Sequence, residues 1–203
     1  KTKNENSDFW GGYCVEFKVI KKTTFNSLNG DTILAIKNAI SIYPNNSNKF
    51  IIEFSKYEHI GSKREIDVSG YKIYVYTPEM IVFEKVRAIC QQLPDYRNQI
   101  TSFTPRARAR DFYDIHYIME THPIDPTTKE NKELIINIFK AKRVPISFIN
   151  QIRLNKSIHT DNWKSVQDTV SSKTELKDFD FYFDYVLERF ENITFPSDNT
   201  TSN

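Results

Sequence analysis

The sequence predicts an α+β fold, a mixed or antiparallel N-terminal sheet followed by a helical C-terminal lobe, and the order of its hydrophobic patterns carries the prediction. Period-two alternation is confined to segments before residue 77. Helix-starting signals, Thr77-Pro78 and Pro105 among them, recur after that point. No internal repeat or low-complexity tract interrupts the order, and 39% hydrophobic with 27% charged residues is the balance of a folded globular chain. Two lobes follow, residues 9–76 and 77–193, in a chain long enough for one full core or two small ones.

The elements are read in order. Residues 1–8 are polar and predict a disordered lead-in. Tyr13, Val15, Phe17 and Val19 alternate with Cys14, Glu16, Lys18 and Ile20, a strand pattern. Asn29-Gly30 breaks the chain, and Asp31 is an N-cap for a helix carrying Ile33, Ile36, Ala39 and Ile40. Residues 49–56 alternate again, with Phe50, Ile52 and Phe54 opposite Ile51, Glu53 and Ser55. Residues 64–68 and 71–76 flank Ser69-Gly70, a two-residue hairpin turn. Thr77 caps, and Pro78 opens, a helix that runs to about Gln92. Further helices are predicted over 108–120, 129–142 and, more weakly, after Pro145 and over 161–171. The last spans 178–192, with Phe179, Phe183, Val186, Leu187 and Phe190 on its inner face, before a disordered tail PSDNTTSN.

Composition excludes several classes. A net charge of +2 makes any nucleic-acid contact a matter of local basic clusters, not of the overall field. No apolar run approaches the ~20 residues that span a bilayer, and the polar start KTKNENSDFW is not a signal peptide. Two cysteines, Cys14 and Cys90, are too few for a disulfide framework and read as buried free thiols of a cytoplasmic protein. The first residue is not Met, as in a piece of a longer chain. His59, His116, His122 and His159 lack metal-ligand spacing, and His116 reads as a packed side chain.

Three patterns can carry chemistry. In the helix from Thr77, Glu84, Arg87 and Gln91 form a polar stripe, and Lys85 falls off it among Ile81, Ala88 and Ile89. Its stem packs while its amine snorkels to water, or its amine enters a cleft and meets a phosphate. Next, Arg106, Arg108 and Arg110 precede Asp111, and Asp114 shares the face of Asp111 three residues on. These are helix-start acids paired with local arginines, or an acid that binds metal or orients a neighbouring lysine, beside arginines that grip phosphate bidentately. Glu53 sits mid-strand on a solvated face or at a cleft edge, where it would hold a metal; Glu16 is a weaker candidate.

Taken together, YTPEMIVFEKVRAICQQ and RARARDFYDIHYIM resemble the paired helices of the AbiEii/AbiGii-type toxin nucleotidyltransferase family, of the DNA polymerase β-like superfamily. FIIEFSKYE stands where that family carries a strand acid, and WGGYCVEFKVI resembles the strand after its catalytic loop, so the resemblance covers roughly residues 10–190. It implies transfer of a nucleoside monophosphate from a nucleoside triphosphate to an acceptor such as tRNA, with Mg²⁺, in a toxin–antitoxin or bacterial defence system. Lys85 would contact the triphosphate, Asp111 would be the helix-borne catalytic acid, and Glu53 the metal-site acid. Arg106, Arg108, Arg110 and Asp114 would contact nucleotide or RNA. Partners would be the triphosphate, tRNA and an antitoxin protein, with no membrane.

The family's glycine turn followed by Asp-x-Asp is not found. Gly11-Gly12 precedes no aspartate until Asp31, Gly61-Ser62 precedes only Asp67, and Asp178-Phe179-Asp180 opens a helix. The expectation is therefore a chain lacking that N-terminal segment and inactive by itself. The alternative is a non-catalytic module of the same fold that binds RNA, nucleotide or an antitoxin. Either way, Lys85, Asp111 and Glu53 are expected in one cleft, and the first strand is expected to have an open edge.

Overall fold

Alternation in the sequence becomes register in the sheet. In the computed structural model, which describes residues 11–41, 47–170 and 175–196 and the backbone of 2–3, β2 (Gly12–Phe17) pairs antiparallel with β3 (Phe50–Ser55). Tyr13, Val15 and Phe17 lie opposite Phe54, Ile52 and Phe50, so the two apolar triplets share one face, while Cys14 and Glu16 oppose Glu53 and Ile51 on the other. The Phe17 and Phe50 rings stack at 5.4 Å. Gly12 permits the close approach of the strands, since a Cβ there would lie 2.1 Å from the Phe54 carbonyl oxygen.

A short β1 (Thr2–Lys3) pairs with Gly12 and Tyr13. That corrects the disordered lead-in at these two residues; the remainder of the lead-in, like residues 197–203 of the tail, lies outside the described residues. The sheet order is β1-β2-β3, so β2, the strand expected to have an open edge, is central: β3 pairs with it from Gly12 to Phe17, and β1 pairs with it at Gly12 and Tyr13.

Between β2 and β3 lie α1 (Lys22–Ser27), which no sequence signal predicted, and α2 (Thr32–Lys37). Asp31 caps α2 as expected, its Oδ1 accepting from the N–H groups of Ile33 and Leu34 at 2.9 and 3.0 Å. Both β2 and α2 stop short of their predicted ends, at Phe17 and Lys37. The residues beyond them bond each other instead, the Ile40 N–H donating to the Val19 carbonyl at 2.8 Å. These elements form one compact unit, Lys1–Tyr57, and the second unit is Glu58–Asn203.

The second unit opens with the hairpin of β4 (Arg64–Val68) and β5 (Tyr71–Val75), in register from Arg64 opposite Val75 to Val68 opposite Tyr71. Ser69 and Gly70 have φ of 55° and 85°, the doubly left-handed geometry of a hairpin whose twist matches its strands. The lobes expected at 9–76 and 77–193 differ from the compact units chiefly in this hairpin.

Then come α3 (Pro78–Cys90), α4 (Ala109–Thr121) and α5 (Lys129–Ala141), with boundaries within two residues of those predicted. Thr77 and Thr128 cap α3 and α5 through their hydroxyl oxygens. The weak helix after Pro145 is a 3₁₀ segment, Ile146–Asn155, running into α6 (Lys156–Thr160). The helix expected over 161–171 is reduced to α7 (Trp163–Gln167). The last helix, α8 (Phe179–Phe190), starts at its Asp178 cap, whose carboxylate accepts from the Phe181 N–H at 3.0 Å.

The core joins α3, α4, α5, α8 and the 3₁₀ segment through Phe83, Val86, Phe112, Ile138, Ile149 and Phe183, all buried. Phe112 stacks on Phe183 and meets Phe179 edge-on, both at 5.3 Å. On α8, Leu187 is only half-buried, and Tyr182 is buried in addition to the predicted set. Among the described residues no helix is long and apolar enough to cross a membrane.

Candidate active site

Helix α4 places Asp111 and Asp114 one turn apart on the face that meets α3, and Lys85 reaches between them from α3. Its Nζ lies 2.7 Å from Asp111 Oδ1 and 2.9 Å from Asp114 Oδ2. Each carboxylate has a second cation: Arg108 Nη1 stands 3.4 Å from Asp111 Oδ2, and Arg110 Nε 2.8 Å from Asp114 Oδ1. Charges thus alternate along Arg108, Asp111, Lys85, Asp114 and Arg110. Three cations against two carboxylates leave the chain of charges with one net positive charge when all are ionised. Burial pulls the pKa of the Lys85 ammonium down, but its bonds to Asp111 and Asp114 outweigh that, so it stays protonated.

Asp111, within this chain of charges, is nearly covered, whereas its Asp114–Arg110 end opens on a cavity. The Asp111 side chain is 11% exposed and those of Asp114 and Arg110 24% and 49%. A cavity of about 570 Å³ has Lys85, Arg110, Asp114 and Thr169 on its polar side. Tyr113, Tyr117, Ile81, Ile118 and Val170 form the rest of its wall. Arg110 is fixed further by a hydrogen bond from Nη1 to Thr169 Oγ1 at 3.1 Å, and its guanidinium lies 5.4 Å from the Tyr113 ring centre. Asp111 is not part of this wall; it holds Lys85 from behind.

The N-terminus of α4 is anchored by a buried histidine. The Arg108 N–H donates to His159 Nδ1 at 3.0 Å, and His159 is wholly buried. Accepting at Nδ1 puts the ring proton on Nε2, the neutral tautomer. Burial, and next the Arg108 charge, bring its pKa down to about 4.

Of the residues singled out from the sequence, Lys85, Arg108, Arg110, Asp111 and Asp114 come together. Arg106 is exposed, and its main-chain N–H donates to Gln92 Oε1 at 2.8 Å. Glu53 lies in the first unit, exposed on β3 opposite Cys14, and Glu16 forms an ion pair with Lys49 at 2.8 Å. Convergence of Glu53 with Lys85 and Asp111 joins two units and stays a proposal.

The polar stripe of α3 is a correction. Arg87 and Gln91 are buried at 8% and 3% exposure, Arg87 bonding Gln91 Oε1 at 2.6 Å and Glu84 Oε2 at 2.8 Å. The reason is that α3 is packed by α4, α5 and the 3₁₀ segment together, which leaves little of it for a solvated stripe. Cys90 is buried as expected, but Cys14 is only partly so. His116 packs edge-on against Phe181, Tyr182 and Tyr185, the packed role expected of it.

Sequence reading missed Tyr113, Tyr117 and His159. The tyrosines had a signal, because positions 110, 113, 114 and 117 share one helix face. His159 had none, since its partner is far away in the chain.

No group of three or more His, Cys, Asp or Glu side chains is placed to hold a metal ion among the described residues. Asp111 and Asp114 already face cations. These residues alone do not fit a magnesium site.

A lysine held between two carboxylates at the wall of a nucleotide-sized cavity, within a helical lobe, suits a protein that handles phosphorylated ligands. The family model described as nucleotidyl transferase AbiEii toxin, type IV toxin–antitoxin system, matches residues 23–185. The chain belongs to this family, which carries with it a nucleotide substrate and an antitoxin partner. No curated protein and no solved structure matches the chain.

Proposed function

We propose that this protein is a cytoplasmic nucleotidyltransferase toxin that binds a nucleoside triphosphate at the Lys85 cavity and passes a nucleoside monophosphate to an acceptor such as tRNA. The observation that carries this is the Lys85 amine, fixed at the cavity wall by Asp111 and Asp114. In the reaction an acceptor hydroxyl oxygen bonds to the α-phosphorus and gives up its proton to solvent, the bond to the bridging oxygen of the β-phosphate breaks, and diphosphate leaves. Lys85 and Arg110 offset charge on the phosphates. Asp111 is a positioning residue that keeps the ammonium aimed and protonated, and Asp114 shares that role at the cavity wall. Arg106 and Arg108, both exposed, meet phosphates of the acceptor strand. Glu53 belongs to this proposal as the acid contributed by the sheet. Magnesium enters it only as the ion that accompanies a nucleoside triphosphate in solution, and no step is routed through it.

A second reading has a specific observation behind it. Both α4 carboxylates are already engaged by cations, as in a module that binds an anion without transferring it.

The test is transfer of label from α-³²P nucleoside triphosphates to bulk tRNA by the wild type and by Lys85→Ala. Label incorporated by the wild type and reduced at least a hundredfold in the variant supports the transferase. Triphosphate binding without incorporation supports the binding module.

A further inference from the structure

The cavity beside Lys85 has a side that phosphate contacts leave unused. Tyr117 stands on its wall with 59% of its surface exposed, on the same helix face as Arg110, Tyr113 and Asp114. Its ring runs nearly parallel to that of Tyr113, with centres 6.4 Å apart and planes at 19°. Tyr113 is itself held, by the edge of Tyr182 at 5.5 Å and by the Arg110 guanidinium. Arg110 is in turn tied to Asp114 and Thr169. The two rings therefore form a supported aromatic platform beside two phosphate-seeking cations, with Ile81, Ile118 and Val170 completing an apolar wall.

A flat apolar ligand part joined to an anionic part is what such a surface recognises, and a nucleotide has that build. We infer that this side of the cavity takes the base of a nucleotide, stacked on Tyr117, with its phosphate toward Lys85 and Arg110. The inference rests on the proposed reading of Lys85 as a phosphate contact and adds the residue that holds the base. Stacking on an aromatic ring is tolerant of base identity, because every base has a π-face. The base belongs either to the donor triphosphate or to the terminal nucleotide of the acceptor strand; the chemistry is the same.

Titrations of the full chain with ATP, inorganic tripolyphosphate and a short single-stranded RNA decide the matter, on wild type, Tyr117→Ala, Tyr117→Trp and Lys85→Ala. Tyr117→Ala should weaken ATP or RNA binding roughly tenfold to a hundredfold. Tyr117→Trp should retain it, and tripolyphosphate should respond to Lys85→Ala alone. An effect on ATP assigns the donor base, and an effect on RNA without one on ATP assigns the acceptor nucleotide. Unchanged ATP and RNA affinity in Tyr117→Ala, with tripolyphosphate lost in Lys85→Ala, overturns the base site and leaves the proposed function standing. Equal weakening of tripolyphosphate by Tyr117→Ala also overturns it, as collapse of the cavity. Tripolyphosphate binding that ignores Lys85 overturns both.

Discussion

His159 shows how one buried side chain sets the position of a whole site. Its Nδ1 accepts from the Arg108 N–H at the start of α4, the helix that carries both carboxylates and both cavity tyrosines. Protonation would break that bond and put a second charge beside Arg108 in a buried place. The folded-state pKa of about 4 lies below the ordinary 6.5, so the stability due to neutral His159 is complete above pH 6.5. It is lost as pH falls through 6.5 toward 4, by up to about 3 kcal/mol. Unfolding free energy followed over that range should drop more steeply in the wild type than in His159→Asn. Parallel profiles would show that the ring is not held neutral. The distance in sequence between His159 and Arg108 explains why no local pattern exposed this contact. Lys85 was legible because an amine among Ile81, Ala88 and Ile89 demands an explanation from its own helix.

Elements were legible where a local signal fixes an end. Thr77-Pro78, Thr128 and Asp178 start their helices as read, and Ser69-Gly70 turns its hairpin with both residues left-handed. Elements were misread where tertiary bonds decide. The β2 strand and α2 end early because Val19 and Ile40 bond each other, and the stripe of Arg87 and Gln91 is internal because α3 is packed by several neighbours. The α4–α8 contact is the element pair that fixes the site from behind, and it centres on the wholly buried Phe112 ring. Phe112→Ala should cost about 3–5 kcal/mol by leaving a cavity between these helices. Exposed Tyr117→Ala should stay within about 0.5 kcal/mol of wild type. Denaturant midpoints of the two variants check this; equal midpoints would mean that the α4–α8 contact is not a centre of the core.

At the scale of the molecule, the two units differ in how they bury their apolar side chains. The helical unit has a continuous core, whereas Tyr13, Val15, Ile52 and Phe54 of the sheet unit are 45–53% exposed. The site residues that come together, Lys85, Arg108, Arg110, Asp111 and Asp114, are all in the helical unit. The α+β order, the paired helices and their charged residues were therefore readable in advance, because each depends on patterns within a helix or strand. The cavity and its tyrosine wall were not, because α3, α4 and the segment after α7 meet only in the folded chain.

The central claim is that Lys85, held by Asp111 and Asp114, meets the phosphates of a nucleotide. Calorimetric titration of the wild type and Lys85→Ala with a nucleoside triphosphate and Mg²⁺ tests it most directly. Binding by the wild type that is at least tenfold weaker in the variant is the predicted result. Equal affinity of the two proteins would contradict the account, and would leave the Lys85 pairs as an ion-pair seam between α3 and α4.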